Sequence, residues 1–598
     1  MIRYQHDVEW QNLHLTIGDR LNSHGAPYYL VAEQASLDVG YDLGNGLRRF
    51  ARDAKRFFAH LEYLLEKPDG PQVDAGLFGA AWSFAPLIGN PVRAFDCSTL
   101  HSVAIADPSD VIGSDIPAGR IIFAGGGTTL DQLTAFSEAR GLTIKTSGSF
   151  LHSTLAGSIG TASHGSRLHY GGIQNMVRGM HFAVAPGKHY WIERASAPLL
   201  STEGLICLSE AGAEIVVIRD DMRFEDALIH LGAMGVLIGL ALELEPSQQF
   251  AVLRMSKAID DAWMRSIESG DFNKLARNMG VSADPIFYEL TLDPHAVFRS
   301  PALHTCYFVS ARESALGDTG AGGGVAHFLA GAAARTLSPA KNSLGPTVAE
   351  AEKRSIAIGA AVAPDKSQTE AALRFMMRGS KSAFEAYRID RGFQDDIGDF
   401  DPADLNTPSG TWRSLHDGII TSGKPGALYN ASYAISRERT GEALEAIAKA
   451  VQALPATFLL TLRFVSEPAG TLAFTRFREN SVIEVDGASP LYSLWAAAIA
   501  QQQGEAPELI NAIRALSNAT ADAALAVRQA LSAARIDYSM HWAKLGELDA
   551  AKVHADFGSP EADDSSLIHR WRATRDFLVP KETRHLFTSQ AVRHYRLV

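Results

Sequence analysis

The chain has 598 residues, 46% of them hydrophobic and 20% charged, an ordinary globular balance with material for more than one domain. A formal net charge of −12 argues against nucleic acid or an anionic membrane as partner, since both want a basic face. The three cysteines, Cys97, Cys207 and Cys306, lack the spacing of a disulfide framework or a thiolate zinc site, and no metal is expected. The N-terminus is polar and the longest apolar run, near 236–244, is too short to span a bilayer, so the expectation is a soluble cytoplasmic protein.

Residues 46–67 carry Leu47, Phe50, Phe57, Phe58 and Leu61 at helical spacing and predict an amphipathic helix. The segment 120–144 reads as strand, glycine turn, helix and strand, with Thr128 or Thr129 as the helix cap. Residues 206–221 read as two short strands about a turn. Residues 228–246 read as a helix end and a long apolar strand that stops at Pro246. Beyond 250 the character changes. GAGGG at 320–324 reads as a flexible linker. The acidic run 395–401 lacks the spacing of a calcium loop and reads as a solvated loop or lid. A helix at 442–454 leads into strands at 457–465, 471–477 and 481–487, and a long helix spans 506–536. The fold class is α+β, with a substrate domain built on an antiparallel sheet flanked by helices. The expected division is 1–250, 251–535 and a C-terminal segment 536–598.

Two stretches are crowded with small residues. One is GSFLHSTLAGSIGTASHGS (148–166); the other is GAAWS (79–83). Such loops bring main-chain N–H groups and hydroxyls close to a ligand and suit phosphate oxygens. The G-x-G-x-x-G fingerprint after the first strand, the P-loop, G-x-S-x-G and H-E-x-x-H are all absent.

The order GAAWSFAPL, DCSTL, AGGGTTLDQLTAFSEARGLTI, STLAGSIGTASHGS, GGIQNMVRGMHFAVAPG and LIHLGAMGVLIGLALELEP resembles the FAD-binding domain of the vanillyl-alcohol oxidase/p-cresol methylhydroxylase-type flavoproteins. Within them the chain resembles the branch of aldonolactone oxidases, alditol oxidases and class II cholesterol oxidases. The resemblance covers roughly residues 30 to 250. It implies FAD as cofactor, held by Gly79, Ala80, Ala81, Trp82 and Ser83 in the first loop. In the second it implies Gly148, Ser149, Thr154, Gly157, Ser158, Thr161, His164, Gly165 and Ser166, and further on Gly235, Val236 and Ile238. TLRFV (461–465) resembles the family's E-x-R strand, with Arg463 on the arginine and Thr461 where the glutamate stands. MHWAKL (540–545) resembles its P-H-W-G-K segment, matching at His541, Trp542 and Lys544. Covalent members carry a first-loop histidine where this chain has Trp82, so non-covalent FAD is expected, with His152 the alternative point of attachment.

The resemblance implies hydride transfer from a CH–OH group of a small-molecule substrate to flavin N5, with oxygen or another acceptor reoxidising the ring. Arg463 and Lys544 are the expected cations for the flavin or substrate oxygen, and a neutral His541 is a candidate proton acceptor. Loss of the E-x-R glutamate and the long Ala-rich middle lean toward a bulkier, sterol-like alcohol over a sugar alcohol. Glu289 reads as a pocket carboxylate or, more commonly, an edge residue. A flavin-binding protein of the same fold without redox activity is the alternative.

Overall fold

The computed structural model describes residues 2–10, 12, 14, 29–37, 46–66, 75–89, 91–113, 116–310, 384–385, 387–389, 391–395, 409–416, 428–455, 458–502, 504–562 and 565–598. The expected linker at 320–324 and the acidic positions 396–401 lie outside the described residues. Strands β1 (Ile2–Trp10), β2 (Tyr29–Leu37), β3 (Ala75–Phe78) and β4 (Arg93–Asp96) form a sheet in the order β1-β2-β4-β3. Next come β5 (Val103–Ile105), β6 (Ile121–Gly125), β7 (Leu142–Thr143), β8 (Val177–Ala185), β9 (Lys188–Glu193), β10 (Glu214–Arg219), β11 (Val236–Glu243) and β12 (Glu245–Pro246). Six of these form a mixed sheet, β10-β9-β8-β11-β6-β5, while β7 pairs with β12.

Helix α1 (Gly46–Glu66) buries Leu47, Phe50, Phe57, Phe58 and Leu61, as its spacing requires. It lies close on the six-stranded sheet because β11 has a glycine beneath it: a Cβ on Gly239 would sit 2.3 Å from the Phe50 ring. The strand–turn–helix–strand reading of 120–144 holds. Helix α2 (Leu130–Glu138) starts with a capping box in which Thr129 and Gln132 satisfy each other's main-chain N–H groups. Helix α3 (Leu155–Gly160) interrupts the second small-residue loop. The reading of 206–221 as two strands fails in its first half. Ser201 caps α4 (Thr202–Ser209), whose Cys207 and Leu208 are buried, and only β10 is extended. Helix α5 (Asp221–Leu228) precedes the long apolar strand β11.

The second half builds on β13 (Phe250–Lys257), β14 (Phe287–Leu292), β15 (Ala302–Val309), β16 (Leu428–Ser436), β17 (Phe458–Ser466), β18 (Glu479–Ala488) and β19 (Tyr538–Met540). They make one antiparallel sheet, β13-β15-β14-β17-β18-β16-β19. The expected strand at 471–477 is irregular. Gly470 turns the chain with φ +99°, and the Leu472 carbonyl accepts from Trp542 Nε1 at 2.7 Å instead of joining a ladder. The expected helix at 506–536 is two helices, Pro507–Ala515 and Ala519–Ala533, parted at Ser517–Asn518, where short polar side chains compete for the backbone. The tail returns to the first half: in the helix Leu567–Leu578, Arg570 and Thr574 hold Asp226 of α5 at 3.0 and 2.7 Å.

Candidate active site

A cavity of about 280 Å³ runs between the first and second loops, the turn at 230–237 and the inner face of the seven-stranded sheet. A second, of about 10 Å³, lies behind Arg463 and has room for about one water, so the first is the ligand site.

The first loop leaves β3 and turns sharply. Ala81 has φ +52°, uncommon for a residue with a side chain. The main-chain N–H groups of Ala80, Ala81 and Trp82 donate to nothing among the described residues, and all three residues line the cavity. The loop is anchored at its far end, where Phe84 N–H and Ala85 N–H donate to the Ala543 carbonyl at 2.9 and 3.2 Å. The Trp82 ring is stacked on Phe150, which fixes it at the cavity wall.

The second loop meets the first at a point with no space. A Cβ on Gly79 would sit 2.2 Å from Thr154 Oγ1, the atom that caps α3 by accepting from Gly157 N–H. The first N–H groups of α3 are spent inside the protein: Leu155 donates to Thr128 O and Ala156 to Gly126 O. Ser158 Oγ is different, being buried on the cavity wall without a hydrogen-bond partner. Free N–H groups and a buried, unpartnered hydroxyl on the lining of one cavity fit the phosphate oxygens of a dinucleotide.

Of the residues expected to hold the cofactor, Gly79, Ala80, Ala81, Trp82, Ser83, Gly148, Ser149, Thr154, Gly157, Ser158, Thr161, His164 and Gly235 line this cavity. Four do not. Leu237 lines it, while Val236 and Ile238 are buried in the core. Gly165 faces the small second cavity. Ser166 accepts from Phe464 N–H at 2.9 Å and donates to the Tyr288 carbonyl, fastening the loop to the seven-stranded sheet. His152 is outside the lining as well.

The expected catalytic residues Arg463, Lys544 and His541 all reach the same end of the cavity. Arg463 is buried and fully engaged. Its Nε donates to Glu289 at 2.9 Å, one terminal nitrogen lies 3.2 Å from Glu484, and the other donates to Ser149 Oγ at 2.7 Å. Glu289 is therefore a buried pocket carboxylate and not an edge residue. Glu484 lies directly opposite Thr461 in the β17–β18 ladder, so the carboxylate missing from Arg463's own strand is supplied across it. Ser432, opposite on β16, donates to Glu484 at 3.1 Å, and Asn430 donates to Asp486. Glu484, Asp486, Asn430 and Ser432 were missed in the sequence. Their signal is an alternation, Glu484 and Asp486 two apart with Ile483 and Val485 interleaved.

Burial and the nearby charges set the ionisation. Burial disfavours charge on Glu484, but Arg463, Lys544 and the Ser432 hydrogen bond outweigh it and hold this carboxylate below its ordinary range. Burial, then Glu484, push Asp486 up to about 7. Burial lowers Lys544, against the pull of Glu484 and Asp486. Burial also lowers His164 to about 4 and His541 well below its ordinary value, so both rings are neutral. His541 Nδ1 accepts from Ala543 N–H at 3.0 Å, which leaves its proton on Nε2. His164 Nδ1 faces the Gly165 carbonyl at 2.9 Å and must donate, which leaves a lone pair on Nε2.

Among the described residues no group of three or more His, Cys, Asp or Glu side chains is placed to hold a metal ion. None of the described helices is long and apolar enough to cross a membrane.

Residues 109–193 match the model of an FAD-binding domain family. An alditol oxidase of Streptomyces sp. is 27% identical over 128 residues, 21% of this chain and 25% of the relative, so the match spans about a quarter of that protein's length. The cholesterol oxidase of B. sterolicum shares the fold over 99% of this chain and 97% of its own, with a TM-score of 0.55 at 12% identity. A solvent-stable cholesterol oxidase does so over 99% and 98%, also with a TM-score of 0.55 at 12% identity. Residues 109–193 are thus similar to an FAD-binding domain, and the chain shares its fold nearly end to end with these cholesterol oxidase structures.

Proposed function

We propose that this protein is an FAD-dependent oxidoreductase that oxidises a CH–OH group of a small molecule, with oxygen or another acceptor taking the electrons. One observation carries the reading: a single cavity joins an anion-accepting turn at Ala80–Trp82 to a wall of buried charged groups at Lys544, Arg463 and Glu484. Bound FAD supplies a hydride acceptor at its isoalloxazine. Ala80, Ala81, Trp82 and Ser158 hold its phosphates. Lys544 has no carboxylate within ion-pair distance among the described residues and faces the cavity, so it is the cation available to developing negative charge. Arg463 is spent on Glu289 and Glu484 and acts by holding them in place.

The two histidines divide the proton work. With its proton on Nε2, His541 is a donor that orients the substrate oxygen. His164 presents the free lone pair and takes the hydroxyl proton. Lys544 at the substrate end favours hydroxyl-rich alcohols, since an apolar sterol would leave its ammonium desolvated without a polar partner. FAD is held non-covalently, because Trp82 occupies the place of the linking histidine.

The test uses the FAD-loaded chain. Acid precipitation should release the flavin into the supernatant, and anaerobic addition of alditols should bleach the visible flavin bands. Flavin retained in the pellet refutes the non-covalent reading. Failure of alditols, aldonolactones and sterols alike to bleach a bound flavin refutes the redox reading and leaves a flavin-binding protein.

A further inference from the structure

The polar face of the seven-stranded sheet carries three buried carboxyl groups, Glu289, Glu484 and Asp486. Glu289 on β14 shares the small second cavity with Arg254 and Arg463, while Glu484 and Asp486 on β18 act with Arg463 on β17 and Lys544 from the segment after β19. Arg463 takes Glu289 and Glu484. Asp486 makes no ion pair among the described residues. Its hydrogen bond comes from the neutral Asn430 side chain, its register partner on β16, and it is 2% exposed. A buried carboxyl with an amide for a partner and an ionised neighbour two residues away is the member of this set that keeps its proton.

We propose that Asp486 is a positioning residue of this site, a carboxylic acid kept neutral beside the ionised Glu484, and that loss of its proton to solvent opposes reduction of the flavin. The proposal rests on the FAD-linked reading above. With Asp486 ionised, the wall carries one more negative charge where the incoming hydride adds another. The remaining titratable groups of the cluster, His164 from the second loop and His541 from the segment after β19, are neutral and do not offset it. The upward shift of Asp486 by burial and by Glu484 agrees with this assignment.

Asp486→Asn, close in shape and always neutral, separates the possibilities in the FAD-loaded full chain. Infrared absorption of a protonated carboxylic C=O is expected at neutral pH in the unaltered protein and not in the variant. The midpoint potential of the flavin, poised with dithionite and redox dyes, is expected to show an added pH-dependent fall in the unaltered protein. That fall amounts to about tenfold in the reduction equilibrium, the order of one added charge at protein-like dielectric. Asp486→Asn should lack it, and Asn430→Ala, which removes a bond favouring the ionised form, should move it to higher pH. The same carboxylic band in both proteins, or the same pH course in both, overturns the proposal. A chain that binds no FAD defeats the functional reading, while the infrared comparison still decides the state of Asp486.

Discussion

Replacing Glu484 by glutamine tests how the buried charges are shared. The substitution keeps the shape and an oxygen for Ser432, but it removes one of the two carboxylates that neutralise Arg463. Breaking a buried pair by removing one partner typically costs about 3–5 kcal/mol. The structure lowers that figure for the single variant. Glu289 still faces Arg463 at 2.9 Å, and Asp486, pushed up partly by Glu484, is freed to ionise in its place. Glu484→Gln alone should therefore cost about 1–2 kcal/mol, and Glu484→Gln with Asp486→Asn about 3–5 kcal/mol. The pair should be non-additive, because Asp486→Asn removes the reserve charge. The pH course has a definite sign. Glu484 is held below its ordinary range in the folded state, so its stabilisation is complete above the unfolded-state value and is lost as pH falls through the folded one. Urea unfolding of the four proteins at pH 7, repeated in acid, measures both. Additive costs at pH 7, or a single variant as damaged as the double, would show that Asp486 is no reserve and that the charge bookkeeping is wrong.

Gly79→Ala places a methyl 2.2 Å from Thr154 Oγ1 and displaces the cap of α3; strain plus the lost cap should cost about 2–4 kcal/mol in thermal unfolding and weaken FAD binding measured by flavin fluorescence. Ser158→Ala and Ser166→Ala should diverge. The first removes a buried hydroxyl that lacks a protein partner and should weaken FAD binding with little loss of stability. The second leaves Phe464 N–H unsatisfied and should cost about 1–3 kcal/mol of stability before any loss of FAD binding.

What the sequence made legible was local. The apolar spacing of α1, the Thr129 cap and the long apolar strand β11 each follow from residues a few positions apart. The second loop was legible by composition for the same reason. The buried charge cluster was not. Arg463 was read along its own strand, where Thr461 stands in the glutamate position. The carboxylates that serve it lie on neighbouring strands, Glu289 opposite Arg463 and Glu484 opposite Thr461, and only register brings them together. Sequence separation of 174 residues from Glu289 to Arg463 carries no periodic signal. The readings of 206–209 and 471–477 failed for a related reason. Apolar runs this short take their form from what caps or crosses them, here Ser201 in one case and Trp542 in the other.

The small residues of 148–166 then acquire two causes in place of one. Up to His164 the loop faces the cavity, and Ser158 offers it an unpartnered hydroxyl. From Gly165 the same composition serves the protein. A Cβ on Gly165 would sit 2.4 Å from the Ser147 carbonyl, Ser166 bonds to both Tyr288 and Phe464, and Leu168 N–H donates to Ile286 O at 2.8 Å. The loop is thus a strap whose first half touches the cofactor site and whose second half is stitched to the sheet that bears Arg463 and Glu484. His164 stands at the junction, on the cavity lining, with its Nδ1–H held by the carbonyl of the residue that begins the stitched half. Tight packing of Gly165 on the Ser147 carbonyl and the orientation of the His164 ring are therefore the same structural demand.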